Sequence, residues 1–159
     1  MNTEAKRQKH LRSNAQLLLE DSIGYKIRRC HRQFLRLLQV RIAPFGVTVG
    51  MWYFLRALWE EDGLKQVELG ARTGVVGPTT VSAVEKLERM GLIERVRSSD
   101  DRRVTRVFLT KEGRRLEKKL MPIAIELFNI AAEGFTRAEA RQTTEYLDRI
   151  LDNLNRALR

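Results

Sequence analysis

The chain is poor in residues that staple, break or bridge a fold: its 159 residues include one cysteine, two histidines and three prolines. A lone Cys30 forms no intramolecular disulfide, and a chain of this length buries roughly 70% of its unfolded surface without one. The cysteine usage reads as that of a cytoplasmic protein. Cys30, His10 and His31 make no metal-ligand spacing, so no metal is expected. No phosphate loop occurs, nor any nucleophile, base and orienting group at a recognisable spacing, so neither a cofactor nor catalytic residues are expected. Long apolar runs are missing as well. The longest uncharged stretch, residues 42–55, has 14 residues, short of the roughly 18 to 20 that a spanning helix requires. Leu17, Leu18 and Leu19 run straight into Glu20 and Asp21, too short for a signal-peptide core, so no membrane partner is expected.

Acidic residues are also in deficit. Thirty Lys and Arg stand against 20 Asp and Glu, a net charge of +10, and such a surface concentrates phosphate-rich partners around it. The excess is not spread evenly: residues 1–42 carry +7 and residues 64–115 carry +5.

What the sequence does have is helical periodicity at both ends. Ile23, Ile27, Cys30, Phe34, Leu37 and Leu38 recur at three- and four-residue steps, the period of a helix with one buried stripe. Within that stripe Cys30 is expected to be an inert core thiol. Arg28, Arg32 and Arg36 form a second stripe, and Pro44 and Gly46 close the helix. Thr48 is placed to cap a second helix carrying Met51, Trp52, Leu55, Leu58 and Trp59, ending at Asp62 and Gly63. Thr110 is placed to cap a long helix bearing Leu116, Leu120, Ile123 and Leu127, kinked at Pro122. Thr136 and Glu139 have capping-box spacing and open a last helix whose stripe is Leu147, Ile150, Leu151, Leu154 and Leu158. Long terminal helices this apolar along one side fold poorly alone, which points to intertwining in a homodimer.

The middle reads differently. Residues 65–73 suit a short helix carrying Val67, Leu69 and Ala71, with a tight turn at Gly74. Gly77 and Pro78 then open a second helix that Gly91 ends. Along this second helix Thr80, Val84, Leu87 and Gly91 share one side, while Thr79, Ser82, Lys86 and Arg89 share the other. Short hydroxyls near a helix N-terminus fit close to base edges and phosphates, and cations further along neutralise the backbone. Pro78, Thr79, Thr80, Ser82, Lys86 and Arg89 are therefore the candidate DNA contacts of a recognition helix. Residues 92–97 and 104–109 are β-like runs joined by a polar, basic tip, a hairpin in the place of a wing. Arg102 and Arg103 at that tip suit a minor groove, while Arg95, Arg97 and Arg106 lie along the strands near phosphates.

These residues resemble the MarR family of winged helix-turn-helix transcription regulators. The resemblance runs from Thr48-Val49-Gly50-Met51-Trp52-Tyr53-Phe54-Leu55 through Gln66-Val67-Glu68-Leu69, Thr79-Thr80-Val81 and Leu87-Glu88-Arg89-Met90-Gly91-Leu92-Ile93. It continues to Asp101-Arg102-Arg103 and Leu109-Thr110-Lys111-Glu112-Gly113, and with the helical ends it covers almost the whole chain. It implies a mainly α fold with a small β-hairpin wing in a single domain over residues 1–159. A winged helix-turn-helix lobe at about 48–110 would be flanked by dimerisation helices at about 10–42 and 111–159. It implies a homodimer on a pseudopalindromic operator of double-stranded DNA, with Asp101 bracing the wing and Arg103 in the minor groove. Gly70 departs from the Ala or Ser usual in relatives, and glycine there costs roughly 1 kcal/mol relative to alanine.

Many members of the family are released from DNA by an aromatic carboxylate or its coenzyme A thioester, bound between the dimerisation helices and the DNA-binding lobe. The corresponding candidates are Arg28, His31, Arg32, Phe34 and Arg36 on the first helix with Trp52 and Tyr53 on the second. The arginine stripe suits either an anionic effector or flanking DNA. The expected function is that of a repressor released by a small anionic effector. The alternatives are an effector-independent architectural DNA-binding protein, or a repressor that senses oxidants through Cys30.

Overall fold

The computed structural model describes residues 19–75, 77–97 and 104–159. The chain divides at Leu37 into two compact units. In the first, a 3-10 turn (Leu19–Asp21) leads into α1 (Ile23–Ile42), and Ser22 Oγ accepts the Tyr25 backbone N–H at 3.4 Å. The Arg29 guanidinium lies 5.8 Å from the centre of the Tyr25 ring. Ile23, Ile27 and Phe34 are all exposed, and so is Cys30. The expectation of a buried thiol is therefore corrected: periodicity identifies an apolar stripe but not whether anything in the same chain covers it.

In the second unit, Leu38 and Ile42 at the end of α1 are buried. Gln39 binds the next segment from both ends of its amide: Oε1 accepts the Val49 N–H at 3.0 Å and Nε2 donates to the Val47 carbonyl at 3.4 Å. A 3-10 turn (Ala43–Phe45) and the predicted Thr48 cap, whose hydroxyl accepts from the Met51 N–H, then start α2 (Val49–Glu60). Its buried face holds Met51, Trp52, Leu55 and Leu58 as expected, with Phe54 and Ala57 in addition.

Beyond α2 come β1 (Leu64–Lys65), α3 (Gln66–Thr73), α4 (Pro78–Arg89), β2 (Ile93–Arg97), β3 (Thr105–Leu109), α5 (Lys111–Ala131) and α6 (Arg137–Ala157). The sheet is antiparallel in the order β1-β3-β2. Ile93 pairs with Leu109 and Arg97 with Thr105, while Leu64 joins from the other side opposite Val107. The hairpin lies where expected; the third strand is an addition, since two residues are too few to show an alternating pattern. Val107 and Leu109 are buried, as are Leu69, Val84, Leu87 and Ile93.

The segment that links the sheet to α5 is tightly fitted. Thr110 Oγ1 donates to the Gly91 carbonyl at 2.6 Å and accepts the Gly113 N–H at 3.1 Å. The Trp59 indole N–H donates to the Gly113 carbonyl at 3.0 Å. A β-carbon on Gly113 would fall 2.1 Å from the Leu92 carbonyl oxygen, so helix and turn meet backbone to backbone there. α5 runs unbroken through Pro122. Thr136 and Glu139 form the predicted capping box, with the Thr136 N–H donating to the Glu139 carboxylate at 2.8 Å. That contact holds the Glu139 carboxyl below its ordinary pKa. Leu147, Leu151 and Leu154 on α6 and Leu158 just beyond its end are exposed.

Candidate nucleic-acid interface

The helix-turn-helix begins with α3, whose first turn closes on itself: Glu68 accepts the Lys65 backbone N–H at 3.0 Å and pairs with the Lys65 ammonium at 3.2 Å. The backbone hydrogen bond first, and the Lys65 side chain second, hold the Glu68 carboxyl below its ordinary pKa. α3 ends at Gly74, whose φ of +69° is the left-handed conformation the tight turn requires. Pro78 then occupies the first turn of α4, where its missing N–H costs nothing.

α4 sorts by face as its sequence predicts. Thr80, Val84 and Leu87 are buried, and Pro78, Thr79, Ser82, Lys86 and Arg89 are exposed on the outer side. Thr80 is the correction among the candidate DNA contacts. It is only 4% exposed, and its hydroxyl donates to the Val75 carbonyl at 2.9 Å, so it joins α4 to the turn instead of facing a ligand. Gly70 is explained by the same contact. A β-carbon there would lie 2.7 Å from both Thr80 Oγ1 and the Val75 carbonyl oxygen. The glycine is thus what lets α3 approach α4, and the expectation that it merely weakens the short helix is revised.

Arg95 has a partner that spacing did not reveal. Its Nη2 and Nε donate to Glu88 Oε2 at 2.6 and 2.9 Å, and its backbone N–H donates to Oε1 at 3.3 Å. The guanidinium hydrogen bonds hold the Glu88 carboxyl below its ordinary pKa and raise that of Arg95. Arg95 therefore ties the wing strand to the recognition helix. Arg106 donates to the Gly63 carbonyl at 2.9 Å, while Arg97 is exposed. Asp101, Arg102 and Arg103 lie outside the described residues.

Asp62 is a further organising residue that sequence reasoning assigned only to a helix end. One carboxylate oxygen accepts the Leu109 backbone N–H at 2.8 Å and the other pairs with Arg114 at 2.5 Å. It thereby joins the end of α2 to β3 and the start of α5. No local pattern marks it, because its partners are 47 and 52 residues away.

The effector candidates divide between the units. Arg28, His31, Arg32, Phe34 and Arg36 are exposed residues of the first unit. Trp52 and Tyr53 line an open cleft of about 840 Å³ in the second unit, together with Arg56, Arg72, Gly74 and Ala124. Trp52 and Trp59 meet edge to face, with ring centres 5.7 Å apart. The Arg56 guanidinium lies 5.9 Å from the Trp52 ring centre and pairs with Glu60 at 3.2 Å. Arg72 pairs with Glu61 at 2.5 Å. Arg56 and Arg72 were not anticipated, since neither belongs to a charged stripe. Among the described residues no group of His, Cys, Asp or Glu is arranged to hold a metal, and no single helix is long and apolar enough to cross a membrane.

A turn-linked helix pair with an exposed hydroxyl-and-cation face, followed at once by a two-stranded hairpin, defines a winged helix-turn-helix DNA-binding regulator of transcription. The chain belongs to the MarR family: it is 32% identical to a MarR transcriptional regulator from Methanosarcina mazei Go1, whose crystal structure superposes with a TM-score of 0.79 and coverage of 85% of this chain and 97% of that one. A sequence model described as MarR family matches residues 45–104. The HTH-type transcriptional repressor IacR of Pseudomonas putida is 25% identical over 138 residues, covering 85% of this chain and 81% of that protein. The PcaV transcriptional regulator of Streptomyces coelicolor, solved in complex with its natural ligand, is 26% identical at a TM-score of 0.76, covering 84% of this chain and 94% of that one. Each of these relatives is named as a transcriptional regulator or repressor.

Proposed function

We propose that this protein is a homodimeric repressor that occupies a pseudopalindromic operator and is released by a small anionic aromatic effector. In this reading residues 48–110 form the DNA-binding lobe, and residues 10–42 and 111–159 supply dimerisation helices. The outer face of α4 reads the major groove, Asp101 braces the wing and Arg103 enters the minor groove. The exposed apolar faces of α1 and α6 support the dimer, because in water they require a covering partner.

One observation carries the effector. The cleft that holds Trp52 and Arg56 is also lined by Arg72, Thr73 and Gly74, the end of α3 and the turn that places α4. A ring lodged in this cleft beside the exposed Tyr53, with its carboxylate on a guanidinium, would touch the element that orients the recognition helix. Such a ligand releases DNA only if it prefers the arrangement that binds DNA poorly. PcaV, solved with its natural ligand, supports a small-molecule trigger in a protein of this fold.

The test is a gel-shift titration on the DNA upstream of the protein's own gene, with wild type, Lys86→Ala and Arg103→Ala, followed by addition of aromatic carboxylates and their coenzyme A thioesters. Weaker binding by both variants and release by at least one compound are expected. Unchanged affinity in both variants overturns the DNA-reading assignment. No response across the panel favours an effector-independent architectural protein, and release by peroxide alone transfers the trigger to Cys30.

A further inference from the structure

Within the helix-turn-helix, Gln66, Val67, Gly70, Val75, Gly77, Thr80 and Val81 line a small dimple of about 220 Å³. Two of its walls are unusual for their place. Val67, the second residue of α3, is 84% exposed, and Val81, in the first turns of α4, is 39% exposed. Neither contributes to the core, which that side of the lobe completes with Leu69 and Val84. Polar atoms of the floor are already used, since the Thr80 hydroxyl donates to the Val75 carbonyl at 2.9 Å and the Val75 N–H donates to the Gly70 carbonyl at 2.9 Å. What remains at the surface is a shallow, mainly apolar seat that Gln66 also lines. It is continuous with the DNA-binding face, because Val81 lies on α4 between Thr79 and Ser82, both exposed.

An apolar seat within a major-groove reading face has a natural occupant. Of the four base pairs, only those containing thymine place a methyl group in the major groove, and side chains read it by apolar contact. We propose that the dimple between α3 and α4 receives the 5-methyl group of a thymine, so that Val67 and Val81 specify thymine at one position of each operator half-site. The proposal rests on the DNA-binding reading of α4 but adds a contact that the hydroxyls and cations of that helix do not supply. Seating one methyl group out of water corresponds to about a four-fold gain in affinity per half-site.

Deoxyuridine isolates this contact, because it keeps every hydrogen-bonding group of thymine and lacks only the methyl. The experiment selects a duplex from a random DNA pool with the full-length protein, replaces its thymines one at a time by deoxyuridine, and measures Kd by fluorescence anisotropy. One position per half-site is expected to weaken binding about four-fold. In Val81→Ala or Val67→Ala the same replacement is expected to cost little, with both variants binding the deoxyuridine duplex as wild type does. Both side chains are exposed, so thermal melts of the variants are expected to match wild type. A penalty at no position, or the same penalty in wild type and both variants, overturns the methyl seat while leaving DNA binding intact. Selection of no DNA sequence overturns the seat together with the DNA-binding reading. A loss in Val81→Ala that is equal on thymine and deoxyuridine duplexes also overturns it, and assigns the residue to the shape of α4.

Discussion

Glu88 and Arg95 are joined through three hydrogen bonds, two from the guanidinium and one from the Arg95 backbone N–H, all accepted by one carboxylate. The pair ties β2 to α4, the strand and the helix that carry the proposed DNA-reading face. Each side chain is about one third exposed, and solvent screening therefore limits its stabilisation to about 1 kcal/mol or less. Glu88→Gln should lower the melting temperature at pH 7 by a few degrees at most. The folded-state pKa of Glu88 lies below its ordinary value of 4.5, so its stabilisation is fully present above that value and disappears as pH falls through the lowered one. Melts of wild type and Glu88→Gln should consequently converge in acid. A difference that persists undiminished well below pH 4.5 would contradict the ion-pair account.

Gly70→Ala sets two physical effects against each other. Helix propensity favours alanine by about 1 kcal/mol, whereas the added β-carbon would lie 2.7 Å from Thr80 Oγ1 and from the Val75 carbonyl oxygen. One of those neighbours is backbone, so the clash is not relieved by a rotamer change, and overpacking of this kind costs about 1 to 3 kcal/mol. Net destabilisation in urea denaturation is expected. Thr80→Ala in the same chain should recover only part of it, because the carbonyl contact remains. A stabilised Gly70→Ala would show that α3 and α4 approach less closely.

Local chemistry was readable in the sequence, and contacts between distant residues were not. The caps at Thr48, Thr110 and Thr136, the turn at Gly74 and the two faces of α4 all follow from residues within one or two turns of each other. Thr80 shows the limit: its type suits DNA contact, but its position on the Val84 and Leu87 side buries it. The roles of Asp62, Gly70 and the Glu88–Arg95 pair depend on how segments meet in space, which no spacing rule encodes. Cys30 errs the other way, because an apolar stripe announces a buried face without saying whether the covering surface belongs to the same chain.

Lys86 and Arg89 are exposed on the outer face of α4 and have no ion-pair partner among the described residues. Phosphate contacts of this kind weaken with salt through counterion release. Replacing either by alanine should reduce affinity by a similar factor on specific and random duplexes, and should lower the slope of log K against log salt by about two per dimer, about one for each half-site. Ser82→Ala should leave the slope unchanged while altering the preference among base sequences. Anisotropy titrations at several KCl concentrations separate the two behaviours; equal slopes for Lys86→Ala and wild type would remove Lys86 from the phosphate contacts.

The exposed leucines of α6 make the dimer testable without DNA. Leu147, Leu151 and Leu154 recur at four- and three-residue steps, and each is about half exposed. Covering the exposed half of one such side chain contributes roughly 0.8 to 1.5 kcal/mol, about half the figure for full burial, and two-fold symmetry counts each substitution twice. Leu151→Asp should therefore raise the dimer dissociation constant by at least about a hundred-fold, since a buried carboxylate adds its own desolvation cost. Sedimentation velocity at micromolar concentration should show the mass fall to that of one chain. The lobe should stay folded, because the core around Phe54, Leu69 and Leu87 makes no use of Leu151, and far-UV circular dichroism checks this. Val67→Asp, on α3 at a side chain even more exposed than Leu151, should leave the mass unchanged. If Leu151→Asp sediments as wild type does, α6 is not the dimerisation surface.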